Sequence, residues 1–541
     1  MKTKQCPIDS PPSLSFREWL RATVWIRPWG GNPPGLVLFL LGLLTAVIMA
    51  FPVVYVGVQS LFAGPERWMR LLDGRIPGLL WSTLSMAAAV TASSILIGVT
   101  GAGLVHRCDL PGRRIWAWLL AMPLMIPPYV GAVTYISLVG PRGWIRDLLG
   151  TVPWNIYSFG GVWFILTLFT YPYVFLVTGS AMKKMNRNYE DAARSLGLSG
   201  WEVIRKVSLP FLRPSIGAGG ILIALYVLSD FGAVTMLRYN TFTSAIYYQM
   251  AGYDNVSATV LSLTLIVLTL AILMLEASTR KRRRVYQTGN SFRPAERFSL
   301  GRWRVPALVF VATVFGLSVV VPVGTLFYWL SHALAQGVFD SRFWGYAWNS
   351  VRVSGLAGLL SMGLALPVVY LKSRYPSQWS RGFDRLSYAG YVLPGVIVAL
   401  GLIFVFNRYI PWLYNTFYLV AVAYVIRFLP LAMGSQESTL GLISPRIDEA
   451  ARSLGLPGWK VMLKVILPLI RPGILAGGAM VFVSAMKELP ATLLLRPPGF
   501  DTLSVRVWVE TSEALYALAA PSALTIVLVS ILPLRWMLNR Y

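Results

Sequence analysis

A polar segment occurs twice in an otherwise oily chain. Asp191-Ala192-Ala193-Arg194-Ser195-Leu196-Gly197 returns as Glu449-Ala450-Ala451-Arg452-Ser453-Leu454-Gly455. The likeness continues through Gly200-Trp201 and Gly458-Trp459, Lys206-Val207 and Lys464-Val465, and Leu209-Pro210 and Leu467-Pro468. It ends at Gly219-Gly220 and Gly477-Gly478. About 20 of about 31 positions are identical, at an offset of about 258 residues, close to half the chain. The chain is therefore two similar halves in tandem, and each half carries the same charged segment.

Composition places these halves in a membrane. Mean hydropathy is +0.61. Charged residues make up 13% of the 541, against about 25% in soluble domains. A spanning helix needs about 20 apolar residues. Six such windows lie in the first half, at 36–60, 79–104, 115–139, 159–182, 212–238 and 256–277. Six more lie at 305–330, 349–371, 386–406, 415–435, 472–495 and 516–537. The expected fold is an all-α polytopic membrane protein of about 12 spans in two homologous six-helix halves. The third span of each half is interrupted by proline, at Pro123, Pro127 and Pro128 and at Pro394. Proline frees backbone carbonyls, so these helices should face protein or a cavity rather than lipid.

The formal charge of +26 is read as membrane flanking and not as a nucleic-acid footprint, because no soluble domain interleaves its basic residues with aromatics. One set of loops holds Arg107, Arg113 and Arg114, then Lys183, Lys184 and Arg187, then Arg280 through Arg284, then Lys372, Arg374, Arg381 and Arg385. Both termini belong with that set, through Arg17, Arg21 and Arg27 and through Arg535 and Arg540. The alternate loops are poorer in Lys and Arg, and carry Glu66, Asp73, Asp147, Asp501, Glu510 and Glu513. The positive-inside rule then puts both termini and both repeat copies in the cytoplasm. Residues 1–35 read as a cytoplasmic tail rather than a cleavable leader. The halves run over 36–277 and 305–541, joined by a basic cytoplasmic linker at 278–304. Two lone cysteines, Cys6 and Cys108, and two histidines, His106 and His332, offer neither a disulfide framework nor a metal cluster.

Local signals make each repeat copy a hairpin of two short helices, over about 186–210 and 444–468. In the first, Asn186 or Asn188 can cap a helix with Glu190 and Asp191 in its first turn, where acids suit the dipole. Gly197 is a left-handed stop. Ser199 and Glu202 form a capping-box pattern for a second helix, which Leu209-Pro210 is expected to end. Small alanines exposed beside charges let such a pair dock closely into a groove. Two equal surfaces suit a partner with two equal sites.

The segment resembles the EAA loop of binding-protein-dependent ABC importer permeases: Glu-Ala-Ala, three residues, Gly, nine residues, Ile, one residue, Leu-Pro. Both copies keep the spacing, with Val207 and Val465 at the Ile position and Asp191 at the Glu position of the first. The resemblance implies a type I importer-like fold in the bacterial inner membrane. It makes Asp191, Ala192, Ala193, Gly197, Glu449, Ala450, Ala451 and Gly455 the coupling residues toward two copies of a cytoplasmic ATP-binding subunit. ATP and Mg would sit on those subunits, and this chain would bind no cofactor. A Gly-x-x-x-x-Gly-Lys-Ser/Thr phosphate loop is absent from the sequence. A periplasmic binding protein would deliver the substrate.

Length and the segment Met486 through Leu503 resemble the ferric-iron permeases of this family, with the fused thiamine permeases as the alternative. An unrelated alternative is a secondary transporter, which also uses internal repeats. Asp230 and Glu488 fall in the fifth windows at the repeat offset. Ionised groups at mid-bilayer cost about 2.5–3.5 kcal/mol, so both should face the bundle interior. They are candidates for the translocation path of a hard cation. The competing assignment is structural, with each acid bonded to a neighbouring backbone or cation. A high-affinity metal site is not expected here, because import needs transient binding.

Overall fold

The computed structural model describes residues 33–141, 143, 145–146, 150–151, 154–280 and 297–531. Much of the tail at 1–35, the linker core at 281–296, Asp147 and the end of the last window lie outside the described residues. Among the described residues the chain is helical, with one isolated bridge between Cys108 and Phe298. Among the described residues, nine helices are long and apolar enough to span a membrane. They are Leu36–Leu61, Ile76–Arg107, Phe159–Lys183, Gly200–Ser229 and Asn255–Leu275 in the first half, and Gly301–Ala335, Phe343–Arg374, Phe417–Leu440 and Gly458–Met486 in the second. Two interrupted pairs, Arg113–Met125 with Pro128–Val139 and Gln378–Gly390 with Gly395–Tyr409, bring the total to 11. Tyr516–Val529 fills the twelfth window. The first interrupted pair bends by 90° at its prolines.

The chain divides into two compact units. One comprises Met1–Ala50, Leu359–Ala389 and Leu429–Gly478; the other comprises Phe51–Gly358, Gly390–Phe428 and Ala479–Tyr541. In the larger unit, Ile76–Arg107, Phe159–Lys183 and Gly200–Ser229 pack on one another. A Cβ added at Gly219 would lie 2.9 Å from Val174 Cα, so the helices meet backbone to backbone there. The smaller unit repeats the contact: a Cβ at Gly477 would lie 2.8 Å from Ala432 Cα. Small residues let spanning helices approach this closely where no hydrophobic force drives them together. This explains why the doubled glycine closes both copies of the repeat.

The structure corrects the sequence at the fifth spans. The windows 212–238 and 472–495 start too late and end too late. Pro210 does not end the second hairpin helix, and neither does Pro468. A π-turn, Ile204–Ser208 or Met462–Ile466, precedes each proline. The wider turn accommodates the ring and the missing N–H, so the helix continues. Each helix therefore runs unbroken from the hairpin, at Gly200 or Gly458, to Ser229 or Met486. The break comes at the acids instead. Short helices Gly232–Met236 and Pro490–Leu495 follow, then Phe242–Ala251 and Leu503–Ser512.

Candidate functional site

In the first hairpin, the Asn186 side chain accepts the Asn188 N–H at 3.1 Å and starts helix Arg187–Ser195. Gly197 takes φ 85° and Gly455 φ 84°, the left-handed turn that glycine alone adopts without penalty. Ser199 and Glu202 close the capping box, with the Ser199 N–H donating to Glu202 Oε2 at 3.0 Å. The second copy has Pro457 and Lys460 at those places and no box. The outward side chains match: Leu196 and Trp201 are 84% and 71% exposed, and Leu454 and Trp459 are 84% and 62% exposed. Ala192 and Ala450 are exposed, but Ala193 and Ala451 are buried, so only the first alanine of each pair can touch a partner. Asp191 pairs with Arg187 at 3.1 Å, and Glu449 is exposed.

Each hairpin is held by a buried ion pair. Arg107, ending the second span, donates to both oxygens of Glu190 at 2.6 and 2.7 Å, and Ser208 donates to Oε1 at 2.8 Å. The second copy repeats the device. Arg374, ending its second span, donates to Asp448 at 3.2 Å, and the Tyr370 hydroxyl donates to the same oxygen at 2.8 Å. Sequence reasoning placed Glu190 as a dipole charge and Arg107 as a membrane-flanking charge, and missed that they meet. The signal was present: Glu190 and Asp448 match at the 258 offset, and Arg107 and Arg374 both close second spans. Nearby, Asp109 accepts the Leu300 N–H at 2.8 Å and Arg304 at 2.6 Å. These two donors hold its carboxyl below the usual range and tie the end of the linker to the loop at 108–112.

The acids of the fifth spans are buried, Asp230 at 8% and Glu488 at 4% exposure. Asp230 Oδ1 accepts the N–H groups of Ala233 and Val234 at 3.1 and 3.2 Å. Glu488 Oε1 accepts from Ala491 at 3.1 Å, and its other oxygen pairs with Arg427. Each acid thus caps the short helix after the break. The backbone repeats as well. The Asp230 carbonyl accepts from the Thr243 hydroxyl at 2.6 Å, and that of Glu488 from Ser504 at 2.8 Å. The Phe242 N–H donates to Thr83, and the Leu503 N–H to Ser350, at 3.3 and 2.8 Å. Lys487 Nζ donates to the Leu124 carbonyl at 3.0 Å, on the bent third span. These bonds satisfy polar groups at the break, as interrupted backbone inside a membrane requires.

This architecture, two sets of interrupted spans each with a two-helix hairpin, is that of a membrane permease. The chain belongs to the binding-protein-dependent transport system inner membrane component family, which it matches over residues 32–285 and 357–537. Members are importer permeases that work with an ATPase and a periplasmic binding protein, and the chain is a multi-pass inner-membrane protein. It is 34% identical over 516 residues to the Fe(3+)-transport system permease protein FbpB 2 of Haemophilus influenzae, covering 94% of this chain and 99% of that one. It is 24% identical over 537 residues to the ferric transport system permease protein FbpB of Actinobacillus pleuropneumoniae, covering 91% and 77%. The thiamine transport system permease protein ThiP of Escherichia coli is 22% identical over 425 residues, covering 76% and 79%.

Proposed function

We propose that this chain is the membrane subunit of an ATP-driven ferric-iron importer and binds two copies of an ATPase subunit through its two hairpins. The observation that carries the coupling role is the matched exposure of Leu196 with Trp201 and of Leu454 with Trp459. A water-facing Leu–Trp pair, presented twice, favours an apolar partner cleft. The iron assignment rests on near full-length similarity to an Fe(3+) permease. ATP and Mg belong to the partner subunits.

The mechanism follows from the continuous helix. Gly200–Ser229 is 30 residues, about 45 Å at 1.5 Å per residue. When ATP closes the nucleotide subunits, displacement of a hairpin passes along this lever to the break at Asp230, and along Gly458–Met486 to Glu488. The π-turn beside each hairpin is where the lever can flex. The buried ion pairs keep hairpin and second span moving together.

The test is uptake of radiolabelled iron by vesicles holding this chain, its ATPase and its binding protein. Iron uptake that needs ATP, with no thiamine uptake, is the expected result. Thiamine uptake without iron would reject the substrate and leave the importer class. Coupling is checked by Gly197→Val and Gly455→Val. A branched side chain in a left-handed turn costs about 1–2 kcal/mol. Membrane insertion should survive, and iron-stimulated ATP hydrolysis should fall several-fold. Unchanged hydrolysis in both variants rejects the role.

Both termini and both hairpins are assigned to the cytoplasm by the Lys/Arg bias. Cysteine at Ser195 or Ser453 should be shielded from an impermeant external reagent in intact cells. Cysteine at Thr151 or Ser512 should react, and the opposite pattern reverses the orientation.

A further inference from the structure

Lys487 is a cation that the internal repeat does not explain. At the offset of 258 its counterpart is Ser229, whose hydroxyl donates to the Tyr226 carbonyl of its own helix at 2.9 Å. Lys487 instead reaches across the chain. Its Nζ donates to the Leu124 carbonyl at 3.0 Å, in the turn Met122–Met125 just before the 90° bend of the third span. This one bond joins the fifth span of the second half to the third span of the first.

The ammonium lies deep. Residues 472–486 carry no charge. Lys487 therefore sits about 24 Å along the helix from Arg471, within a hydrocarbon layer about 30 Å thick. A charge at that depth faces the bundle interior or a water-filled space, because facing lipid costs too much. Lys487 and Leu124 are both half-buried, so their contact borders such a space.

The nearby acids are committed elsewhere. Glu488 gives one oxygen to Arg427 and the other to the Ala491 N–H. Asp230 is 8% exposed and turned toward the Ala233 and Val234 N–H groups. Among the described residues no carboxylate pairs with Lys487. An ammonium has three donors, and Leu124 takes one, so the other two are left to water. A positive group facing an aqueous path is an electrostatic barrier to protons and metal cations. A resting importer needs one, since a potential of 100 mV drives each unit charge with about 2.3 kcal/mol. Lys487 also stands where it can be moved, directly after the lever Gly458–Met486.

We propose that Lys487 is the cation barrier of the resting path. Held on the Leu124 carbonyl, its charge turns back protons and metal cations. The lever draws it off that carbonyl when ATP closes the partner subunits. The inference rests on the importer reading above, but its test needs neither iron nor ATP, so the two fail separately. Vesicles carry the chain with its ATPase subunits, no ATP, a potassium diffusion potential negative inside, and an internal pH-sensitive dye. The unmodified assembly should admit protons little faster than empty vesicles. Lys487→Met should raise the rate at least several-fold. Lys487→Gln keeps a donor for Leu124 and drops the charge, so it should leak as the Met variant does. Lys487→Arg keeps the charge and should stay tight, which a leak caused by misfolding would not allow. Each variant is compared at equal ATPase retention, and if the Met variant fails to assemble the Gln variant decides. A Gln variant as tight as the parent overturns the barrier, as does an Arg variant as leaky as Gln.

Discussion

Replacing Arg107 by methionine should destabilise the protein by about 3–5 kcal/mol, because it strands the Glu190 carboxylate in a buried site. The pair is nearly dry, with side chains 8% and 2% exposed. The Ser208 hydroxyl remains as one donor, which cannot neutralise the charge. The double variant Arg107→Met with Glu190→Met removes both charges at similar volume and should recover most of the loss. Arg374→Met should behave the same way in the second copy, where Asp448 keeps only the Tyr370 hydroxyl. Thermal denaturation of the detergent-solubilised protein reads the stability. Retention of the ATPase on the purified chain reads the hairpin. If the double variant regains its melting temperature but transports poorly, the ion pair transmits motion as well as holding the fold. If Arg107→Met alone melts like the parent, the pair contributes nothing to holding the hairpin.

The sequence announced the two halves and the hairpins because two similar segments, each with a left-handed glycine after the same Ala-Ala-Arg-Ser-Leu run, sit at one offset. Gly197 and Gly455, Asn186, and Ser199 with Glu202 all act over a few residues, and local chemistry survives reading in one dimension. The ion pairs were hidden because their partners obey different offsets. Glu190 and Asp448 are 258 apart, whereas Arg107 and Arg374 are 267 apart, so the loops between them have changed length. Prolines misled in a similar way. Pro210 reads as a helix end, and only the π-turns before it and before Pro468 show how each helix continues. Alanine exposure was half legible: one helical face follows from spacing, but which of two adjacent alanines faces inward depends on the packing partner.

Asp230 and Glu488 match in the repeat but should respond differently to neutralisation. Asn caps a helix about as well as Asp. Asp230→Asn therefore keeps an acceptor for the Ala233 and Val234 N–H groups, and should assemble with little loss of stability. Glu488→Gln leaves Arg427 as a buried cation without its counter-charge, and should cost about 3–5 kcal/mol and much of the assembled protein. Adding Arg427→Gln to Glu488→Gln removes the orphan charge and should restore assembly. Transport can then be read free of folding. If the acids guide a hard cation through the break, Asp230→Asn and the double variant should both lose iron uptake while keeping basal ATP hydrolysis. Normal uptake in both would make the carboxylates purely structural, as caps that let the fifth spans break inside the membrane. The decisive comparison is Asp230→Asn, where the cap survives and only the charge is gone.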